Sequence, residues 1–342
     1  MQKIKNKKVK FILLFPFDLI NTFIGIIYFK LFKNTKNFFY QSMVRLFCIT
    51  GGWSNKFIND LTSRKKISNK INLNIDTTET VKKLKKNGYS IEENFLSENE
   101  CNSILKFCTD NKLDIRPSES ENWENDLKSI NFDSKNFKAV MYELPKKKVL
   151  MNKKICNIIF SEKILSICQE YFDSEPIFDH ASLSISTSYS KSPDSKAAQL
   201  FHFDLDRPKW LKFLIYITDV SLENGPHVFV EGSHKDNGIE KSLLSRGYER
   251  LNDEIIKEIY NDSVKIFNKK RGTLIVEDTR GLHKGDVVKS GYRCLLNIQF
   301  NSSNYGTKIV KQVIPEENIN KEFFNNNKYI YQNLELSKKN EI

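Results

Sequence analysis

A histidine and an aspartate two residues apart form the clearest chemical pattern in the chain. They lie in the motif His202-Phe203-Asp204, within the stretch from Gln199 to Phe213. On a β-strand, side chains two residues apart leave the same face with Cα atoms about 6.6 Å apart, so an imidazole and a carboxylate can bind one metal ion. The pair alone is weak evidence, because a single His-x-Asp motif arises by chance and is usually a polar surface pair.

A second histidine strengthens the metal interpretation. His283 lies in Gly281-Leu282-His283-Lys284-Gly285, just after an apolar run at 273–276 that predicts a strand. Two neutral imidazoles and one carboxylate on one face of an octahedral ion form the facial triad of non-haem Fe(II) oxygenases. Such a triad leaves open positions for a bidentate co-substrate and O2.

Arg293 lies in a further alternating run, 292–300, which also predicts a strand. A permanently charged guanidinium that faces into a barrel is costly unless it meets an anion. The distal carboxylate of 2-oxoglutarate would supply that anion, with charge-assisted hydrogen bonds worth about 1.5 to 3 kcal/mol each.

Five sequence blocks together resemble the phytanoyl-CoA dioxygenase-like family, a branch of the Fe(II)/2-oxoglutarate-dependent oxygenases. The likeness covers about residues 77–300, and the order and spacing of the blocks are much more specific than any one of them. The blocks are His202-Phe203-Asp204, Tyr216-Ile217-Thr218-Asp219-Val220 leading to Glu223-Asn224-Gly225-Pro226, Glu231-Gly232-Ser233-His234, Gly281-Leu282-His283 and Arg293.

This resemblance implies that His202, Asp204 and His283 bind iron and that Arg293 holds 2-oxoglutarate. It implies a dioxygenase that hydroxylates a small-molecule or lipid-like substrate and releases succinate and CO2. Asp204 favours hydroxylation, because relatives that halogenate have a small residue in its place. Some members have a hydroxyl residue two positions after the distal histidine to assist the arginine; here that position is Gly285, which leaves the second partner of the carboxylate unidentified.

Helical patterns followed by short strands predict a mixed α+β fold that is mainly β. We expect a double-stranded β-helix (jelly roll) core with flanking helices and a basic, hydrophobic N-terminal extension. The predicted boundaries are 1–75 for the extension, 76–307 for the Fe(II)/2-oxoglutarate dioxygenase domain and 308–342 for a polar C-terminal tail that ends loosely.

Local patterns predict the elements around the motifs. Capping boxes at Asp76-Thr77-Thr78-Glu79 and Ser97-x-x-Glu100 predict helix starts. Strict alternation at 177–190 predicts a strand with a polar face of His180 and four serines. Further expected strands are at 198–204, which carries the metal motif, and at 287–288, whereas 110–136 is expected to be a surface loop.

Structural roles are expected for the remaining histidines and for two aromatic residues. His234 would stabilise a turn and a helix start, and His227 would lie in a loop. His180 would line the pocket or be exposed, while Trp210 and Tyr216 are typical of a core.

The net charge of +12 is concentrated at the N-terminus. Residues 1–86 contain 18 Lys and Arg against 4 Asp and Glu, whereas the rest of the chain contains 36 against 38. The near-neutral remainder argues against nucleic-acid binding. Six cysteines without a CxxC pair are expected to be buried, reduced thiols of a cytoplasmic protein.

Residues 11–32 form an apolar run that would measure about 33 Å as a helix, long enough to cross a bilayer. Asp18 would cost about 2.5 to 3.5 kcal/mol near the bilayer centre, and Pro16 interrupts the run. A polar side that includes Asp18, Thr22 and Gly25 is typical of an in-plane helix. The favoured interpretation is an anchor at the inner face of the membrane through residues 11–36; a true span and a helix buried against the catalytic domain stay open.

Two other functions compete with the dioxygenase. A cupin-like metal enzyme that does not use 2-oxoglutarate would retain the triad but would have no reason for Arg293. A non-catalytic, membrane-attached jelly-roll binding module would not need an intact triad.

Overall fold

The computed structural model describes residues 2–65, 75–116 and 128–337. The β-strands in these residues form two antiparallel sheets and one parallel pair of strands. The strands are β1 (Tyr89–Glu92), β2 (Leu113–Arg116), β3 (Ser129–Ile130), β4 (Met141–Glu143), β5 (Ile177–Thr187), β6 (Trp210–Tyr216), β7 (His227–Val230), β8 (Val264–Phe267), β9 (Leu274–Glu277), β10 (His283–Gly285), β11 (Tyr292–Asn301), β12 (Gln312–Pro315) and β13 (Leu334–Ser337).

Helices lie at the N-terminus and around the sheets. They are α1 (Gln2–Phe32), α2 (Asn37–Thr50), α3 (Trp53–Thr62), α4 (Thr78–Asn87), α5 (Glu98–Thr109), α6 (Lys146–Val149), α7 (Lys153–Ile159), α8 (Glu162–Phe172), α9 (Lys241–Leu244), α10 (Asp253–Tyr260) and α11 (Lys321–Asn326), with short 3-10 turns at Asn261–Ser263 and Glu316–Asn318.

The large sheet has the strand order β1-β9-β6-β11-β5-β4-β2-β3, and the small sheet has the order β10-β7-β8. Buried Tyr216 and Ile275 of the large sheet pack against Phe229 and Phe267 of the small sheet. The opposite face of the large sheet packs against α4, α5, α7 and α8 in the main core. A jelly-roll core with flanking helices and an N-terminal helical extension is therefore confirmed.

Alternation along the long strands separates the two faces of the large sheet. In β5, Ala181, Leu183 and Ile185 are fully buried in the helix-covered core. The serines between them face the small sheet, and the register places Ser186 opposite Arg293 and Ser182 opposite Asn297 of β11. The face of β5 toward the small sheet is therefore polar, as the predicted strand indicated.

One of the two predicted capping boxes is correct. Ser97 and Glu100 exchange both hydrogen bonds at the start of α5. At α4 the box is not formed, because Asp76 Oδ1 accepts from the N–H of Thr78 at 3.0 Å instead of from Glu79. The Thr77 hydroxyl donates to Glu170 Oε2 at 2.7 Å and makes no cap. Asp76 therefore forms an Asx turn and not a capping box.

Three predicted local structures differ from the fold. The segment at 198–204 is not a regular strand; it makes isolated bridges at Phe201 and His202. The predicted strand at 287–288 is absent. The strand in this region is β10, which begins at His283 itself and ends at Gly285. The predicted loop at 110–136 contains the strands β2 and β3, and its residues 117–127 lie outside the described residues.

The C-terminal tail is packed up to residue 337, so the expected loose end is wrong there; residues 338–342 lie outside the described residues. β12 and β13 pair in parallel, and Ile330 and Tyr331 are buried. Gln312 accepts from the N–H of Ala181 at 2.7 Å and donates to its carbonyl at 3.0 Å. The tail therefore completes hydrogen bonds of β5.

The N-terminal helices pack on the jelly roll. Two glycines end α2, since Gly51 has a φ of +67° and Gly52 a φ of +100°. The polar side of α1 faces the protein, because Asp18 is buried against Arg45. All six cysteines are free and buried, as expected.

Candidate metal centre and anion pocket

His202, Asp204 and His283 come together in the space between the two sheets. All three are buried, and one potential ligand atom from each lies within 4.8 Å of the others. The backbones of His202 and His283 exchange two hydrogen bonds of 3.0 and 2.8 Å, which tie the irregular segment to β10. These bonds fix the spacing of two residues that are distant in sequence.

The hydrogen bonds of the two imidazoles determine which nitrogen is free. Nδ1 of His202 lies 2.9 Å from the carbonyl of Leu200, and Nδ1 of His283 lies 3.0 Å from the carbonyl of Gly281. A carbonyl only accepts, so each Nδ1 carries the hydrogen and each Nε2 presents a lone pair. Both Nε2 atoms lie near Asp204, at 3.8 Å for His202 and 3.3 Å for His283.

This donor set suits a divalent transition metal, because neutral imidazole and carboxylate are its usual ligands. Burial holds the pKa of His202 well below its usual range, with a smaller contribution from His283, and the ring is therefore neutral. Burial works to raise the pKa of Asp204, but Lys212 and His283 outweigh it and hold that pKa well below its usual range. His202 and Asp204 thus have the protonation states that metal binding needs.

Lys212 is a site residue that the motifs did not indicate. It lies in the apolar strand β6, and its Nζ is 2.6 Å from Asp204 Oδ2. Burial lowers the pKa of Lys212, but Asp204, with Asp206 and Glu277, outweighs it, and the net shift is upward. A single lysine inside an otherwise apolar strand, Trp210–Tyr216, was the available signal.

Arg293 is buried and has no carboxylate within ion-pair distance among the described residues. Its Nη1 donates to the carbonyl of Gly225, its Nη2 lies 3.4 Å from Ser186 Oγ, and its Nε meets no acceptor in the described part of the chain. A buried guanidinium with open donors is an anion site.

Gly285 leaves room for this guanidinium. A Cβ at that position would lie 2.8 Å from Arg293 Nη2. Ser186 Oγ, 3.4 Å from the same Nη2, places a hydroxyl beside the guanidinium.

A cavity of about 160 Å³ connects the triad to Arg293. Its walls include the serines of β5, Asn297, Lys212 and both triad histidines. The same cavity reaches His227, which was expected in a loop; that expectation is wrong, because His227 is the buried first residue of β7.

His227 forms a second polar pair beside the triad. Its Nε2 lies 2.8 Å from Glu277 Oε2, and its ring centroid is 5.8 Å from that of His283. Burial lowers the pKa of His227 despite the Glu277 carboxylate. Glu277, in the otherwise apolar run Leu274–Glu277, was the only sequence signal of this pair.

A second cavity, of about 230 Å³, continues along the same face of the large sheet away from Arg293. Lys212 lines both cavities, and His180, Trp210, Gln299 and Asp206 belong to the second. His180 is therefore a cavity residue, whereas Tyr216 is core, and His234 is buried in a turn outside both cavities.

Sequence comparison assigns the family. Residues 84–291, more than half of the chain, match the family model for phytanoyl-CoA dioxygenase (PhyH). The chain belongs to the phytanoyl-CoA dioxygenase family, and with it to the superfamily of Fe(II)- and 2-oxoglutarate-dependent enzymes. Among curated proteins, none matches the sequence.

Several solved structures are similar at low identity. HygX from Streptomyces hygroscopicus, with nickel and 2-oxoglutarate bound, is 12% identical, with 71% of this chain and 92% of that chain covered and a TM-score of 0.48. EvdO2 from Micromonospora carbonacea var. aurantiaca is 15% identical (67% and 91% covered, TM-score 0.45). The epimerase SnoN, in complex with Fe3+, alpha ketoglutarate and nogalamycin RO, is 13% identical (65% and 82% covered, TM-score 0.45). The family assignment rests on the sequence match.

Proposed function

We propose that the chain is an Fe(II)- and 2-oxoglutarate-dependent dioxygenase that hydroxylates a small-molecule or lipid-like substrate and releases succinate and CO2. His202, Asp204 and His283 are the proposed iron ligands. The observation that carries the proposal is the convergence of two imidazole Nε2 lone pairs and one carboxylate, each fixed by its own hydrogen bond. Iron, when bound, would supply the O2 activation that the side chains cannot.

Arg293 is the proposed partner of the distal carboxylate of 2-oxoglutarate. Its open donors face a cavity that reaches the triad, so one small dicarboxylate could contact both. Ser186 Oγ, beside Nη2, supplies a hydroxyl donor for the same carboxylate. This arrangement identifies a candidate for the missing second partner.

Lys212 is the proposed positioning residue for Asp204. Its ammonium donates to Oδ2 and leaves Oδ1 available for the metal ion. Arg293 and Ser186 are both buried, and the low local dielectric would strengthen their hydrogen bonds to the distal carboxylate of 2-oxoglutarate.

The second cavity is the proposed substrate pocket, since it meets the first at Lys212 and extends away from Arg293. Its lining contains two carboxylates, Asp179 and Asp206, and two lysines, Lys146 and Lys308. Neither lysine forms an ion pair with a described residue. These walls favour a substrate that carries polar or anionic groups on the part that enters.

The test is an anaerobic titration of Fe(II) and 2-oxoglutarate into the full chain, followed by the visible metal-to-ligand charge-transfer band of the chelate. We expect a band in the wild type, no band in His202→Ala, and a band that needs much more 2-oxoglutarate in Arg293→Ala. Succinate formation after O2 is admitted would then support turnover.

Two outcomes would reject the proposal. A wild type that binds iron but gives no band would favour a cupin-like metal enzyme that does not use 2-oxoglutarate. A wild type that binds no iron would favour a non-catalytic binding module. Incorporation of one atom of labelled O2 into the product would separate hydroxylation from other oxidations.

A further inference from the structure

Exposed apolar side chains are concentrated in the N-terminal extension. Of 19 large hydrophobic side chains that are exposed among the described residues, 12 lie between Leu13 and Phe57. Scattered apolar side chains are normal on a protein surface, but a concentration in one segment marks an interaction surface.

One side of α1 is fastened to the protein between Asp18 and Phe29. Asp18 is 1% exposed and binds Arg45 of α2 through both carboxylate oxygens, at 2.6 to 3.1 Å. Farther along the helix, Ile26 and Phe29 pack against Tyr305 of the jelly roll in a buried cluster. This part of α1 is therefore held lengthwise against the domain.

The other side of α1 carries a continuous apolar stripe. We define the outer stripe as Leu13, Phe17, Ile20, Ile24, Ile27 and Leu31, which follow one another at spacings of three and four residues. These side chains are 47% to 70% exposed and lie about 180° around the helix from Asp18, Thr22 and Phe29. The outer stripe is about 27 Å long.

Positive charge surrounds the outer stripe. Lys30, Lys33 and Lys36 are exposed at one end, and the sequence has five lysines among its first ten residues at the other. Asp18 is the only acidic residue before Asp60, and Arg45 neutralises it. The segment therefore offers apolar contact and cationic charge together.

We propose that the outer stripe docks on an anionic lipid surface, with α1 lying in the plane of the interface. Apolar side chains would enter the boundary of headgroups and acyl chains, while the lysines meet anionic headgroups. The inner leaflet of the cytoplasmic membrane has this charge, so a cytoplasmic protein bound at its inner face is the proposed location.

An in-plane helix fits better than a span. By length and composition, Leu13–Phe32 could cross a membrane. A crossing would separate Asp18 from Arg45 and expose the side that packs on Tyr305, whereas in-plane docking leaves both contacts intact.

The docking surface is close to the metal centre through α2. Phe47 of α2 stacks on Phe203, the residue between His202 and Asp204, with ring centroids 5.5 Å apart. α1 packs on the same helix through Asp18 and Arg45. Docking would therefore hold the candidate metal centre near the lipid surface.

Sedimentation of the full chain with lipid vesicles tests the proposal without any need for activity. The stripe variant is Phe17→Gln, Ile20→Gln, Ile24→Gln and Leu31→Gln together. The matched control variant is Ile259→Gln, Ile266→Gln, Val310→Gln and Leu336→Gln, at positions that are also exposed and lie outside the extension.

We expect the wild type and the control variant to sediment with phosphatidylcholine vesicles that contain phosphatidylglycerol. The bound fraction of both proteins should fall at high salt and in vesicles without phosphatidylglycerol. The bound fraction of the stripe variant should fall roughly tenfold or more, with unchanged gel-filtration behaviour and circular dichroism. Release of the wild type by alkaline carbonate would agree with in-plane docking.

Three results would overturn the proposal. They are failure of the wild type to bind vesicles, equal binding by the stripe variant, and retention of the wild type in the membrane after carbonate extraction, which would indicate a span. A wild-type dimer that the stripe variant loses, without vesicle binding, would identify a second copy of the chain as the occupant.

Discussion

Ser186 lies beside Arg293 because their strands are paired in register, and Gly285 leaves room for the same guanidinium. The hydroxyl that could assist the arginine therefore comes from a neighbouring strand and not from the loop after His283. A motif search follows the chain, so it cannot find a partner that only strand pairing supplies.

The Ser186→Ala substitution should weaken 2-oxoglutarate binding about fivefold, since a lost hydrogen bond costs about 1 kcal/mol. The dissociation constant can be measured from the charge-transfer titration with Fe(II). Ser182→Ala is the matched control, because Ser182 lies on the same strand face but pairs with Asn297, away from the arginine. Equal affinities of the Ser186→Ala variant and the wild type would rule out this role.

The Lys212→Met substitution should destabilise the metal-free protein by about 1.5 to 3 kcal/mol, because it removes a charged hydrogen-bond donor from buried Asp204. A bound cation would replace the lost positive charge, so added Ni(II) should raise the melting temperature more in this variant than in the wild type. Differential scanning fluorimetry measures both effects.

Lys209→Met is the control for this prediction, since Lys209 is a half-buried lysine that donates to the Tyr171 carbonyl, away from the triad. The control should be destabilised without a larger response to Ni(II). If both variants respond to Ni(II) as the wild type does, Lys212 does not position Asp204 for metal binding.

Elements with a strong sequence period were predictable, and elements defined by tertiary contacts were not. β5 and β11 alternate over about ten residues because each has one face toward the helices and one toward the polar cavity. The segment that contains His202 lacks a regular alternation of polar and apolar residues. It is held in place by single bridges, from Phe201 to Leu251 and from His202 to His283. The metal and anion motifs could therefore be predicted from the sequence, but the positions of Lys212 and His227 beside the triad could be found only from the fold.

The C-terminal strand pair is the clearest element without a local signal. β12 and β13 have only four residues each, and Gln312 binds both backbone groups of Ala181 through its side chain. The Gln312→Ala substitution should lower the free energy of unfolding by about 1 to 3 kcal/mol, because it leaves buried backbone groups unsatisfied. Urea denaturation measures the change.

Gln332→Ala is the comparison for that measurement, since Gln332 is exposed and bonds only locally to the Tyr329 carbonyl. We expect it to change the free energy of unfolding by less than about 0.5 kcal/mol. Equal effects of the two substitutions would mean that the tail does not support β5.

At the scale of the whole molecule, the N-terminal helices and the jelly roll share a hydrophobic core. Val44 and Phe47 of α2 pack with Phe201, Phe203 and Leu282 around the candidate metal centre. The predicted boundary at residue 75 stays a prediction, but α2, which lies before it, contributes buried side chains to the core beside the metal ligands. Apolar residues of the extension thus have two roles in our account, in the shared core and on the lipid-facing stripe.

The acid stability of the whole molecule should depend on its buried histidines. Burial lowers the pKa of His234, and Arg280 and Lys235 act in the same direction, against Asp278. A histidine whose pKa is lower in the folded state binds its proton more readily when unfolded, so its contribution to stability is present above about pH 6.5 and is lost as the pH falls. Burial lowers the pKa of His227 as well, despite its Glu277 partner.

Urea denaturation of the metal-free protein between about pH 7.5 and about pH 5.5 should show a falling free energy of unfolding. The His234→Gln variant should lose less stability over this range, by up to about 1.4 kcal/mol for each pH unit below the pKa of the unfolded chain. The two proteins are compared by the slope of the free energy of unfolding against pH and not by its absolute value, because the substitution also changes packing against Gly88. Parallel curves for the two proteins would contradict the assignment, since His234 would then bind protons equally in the folded and unfolded states.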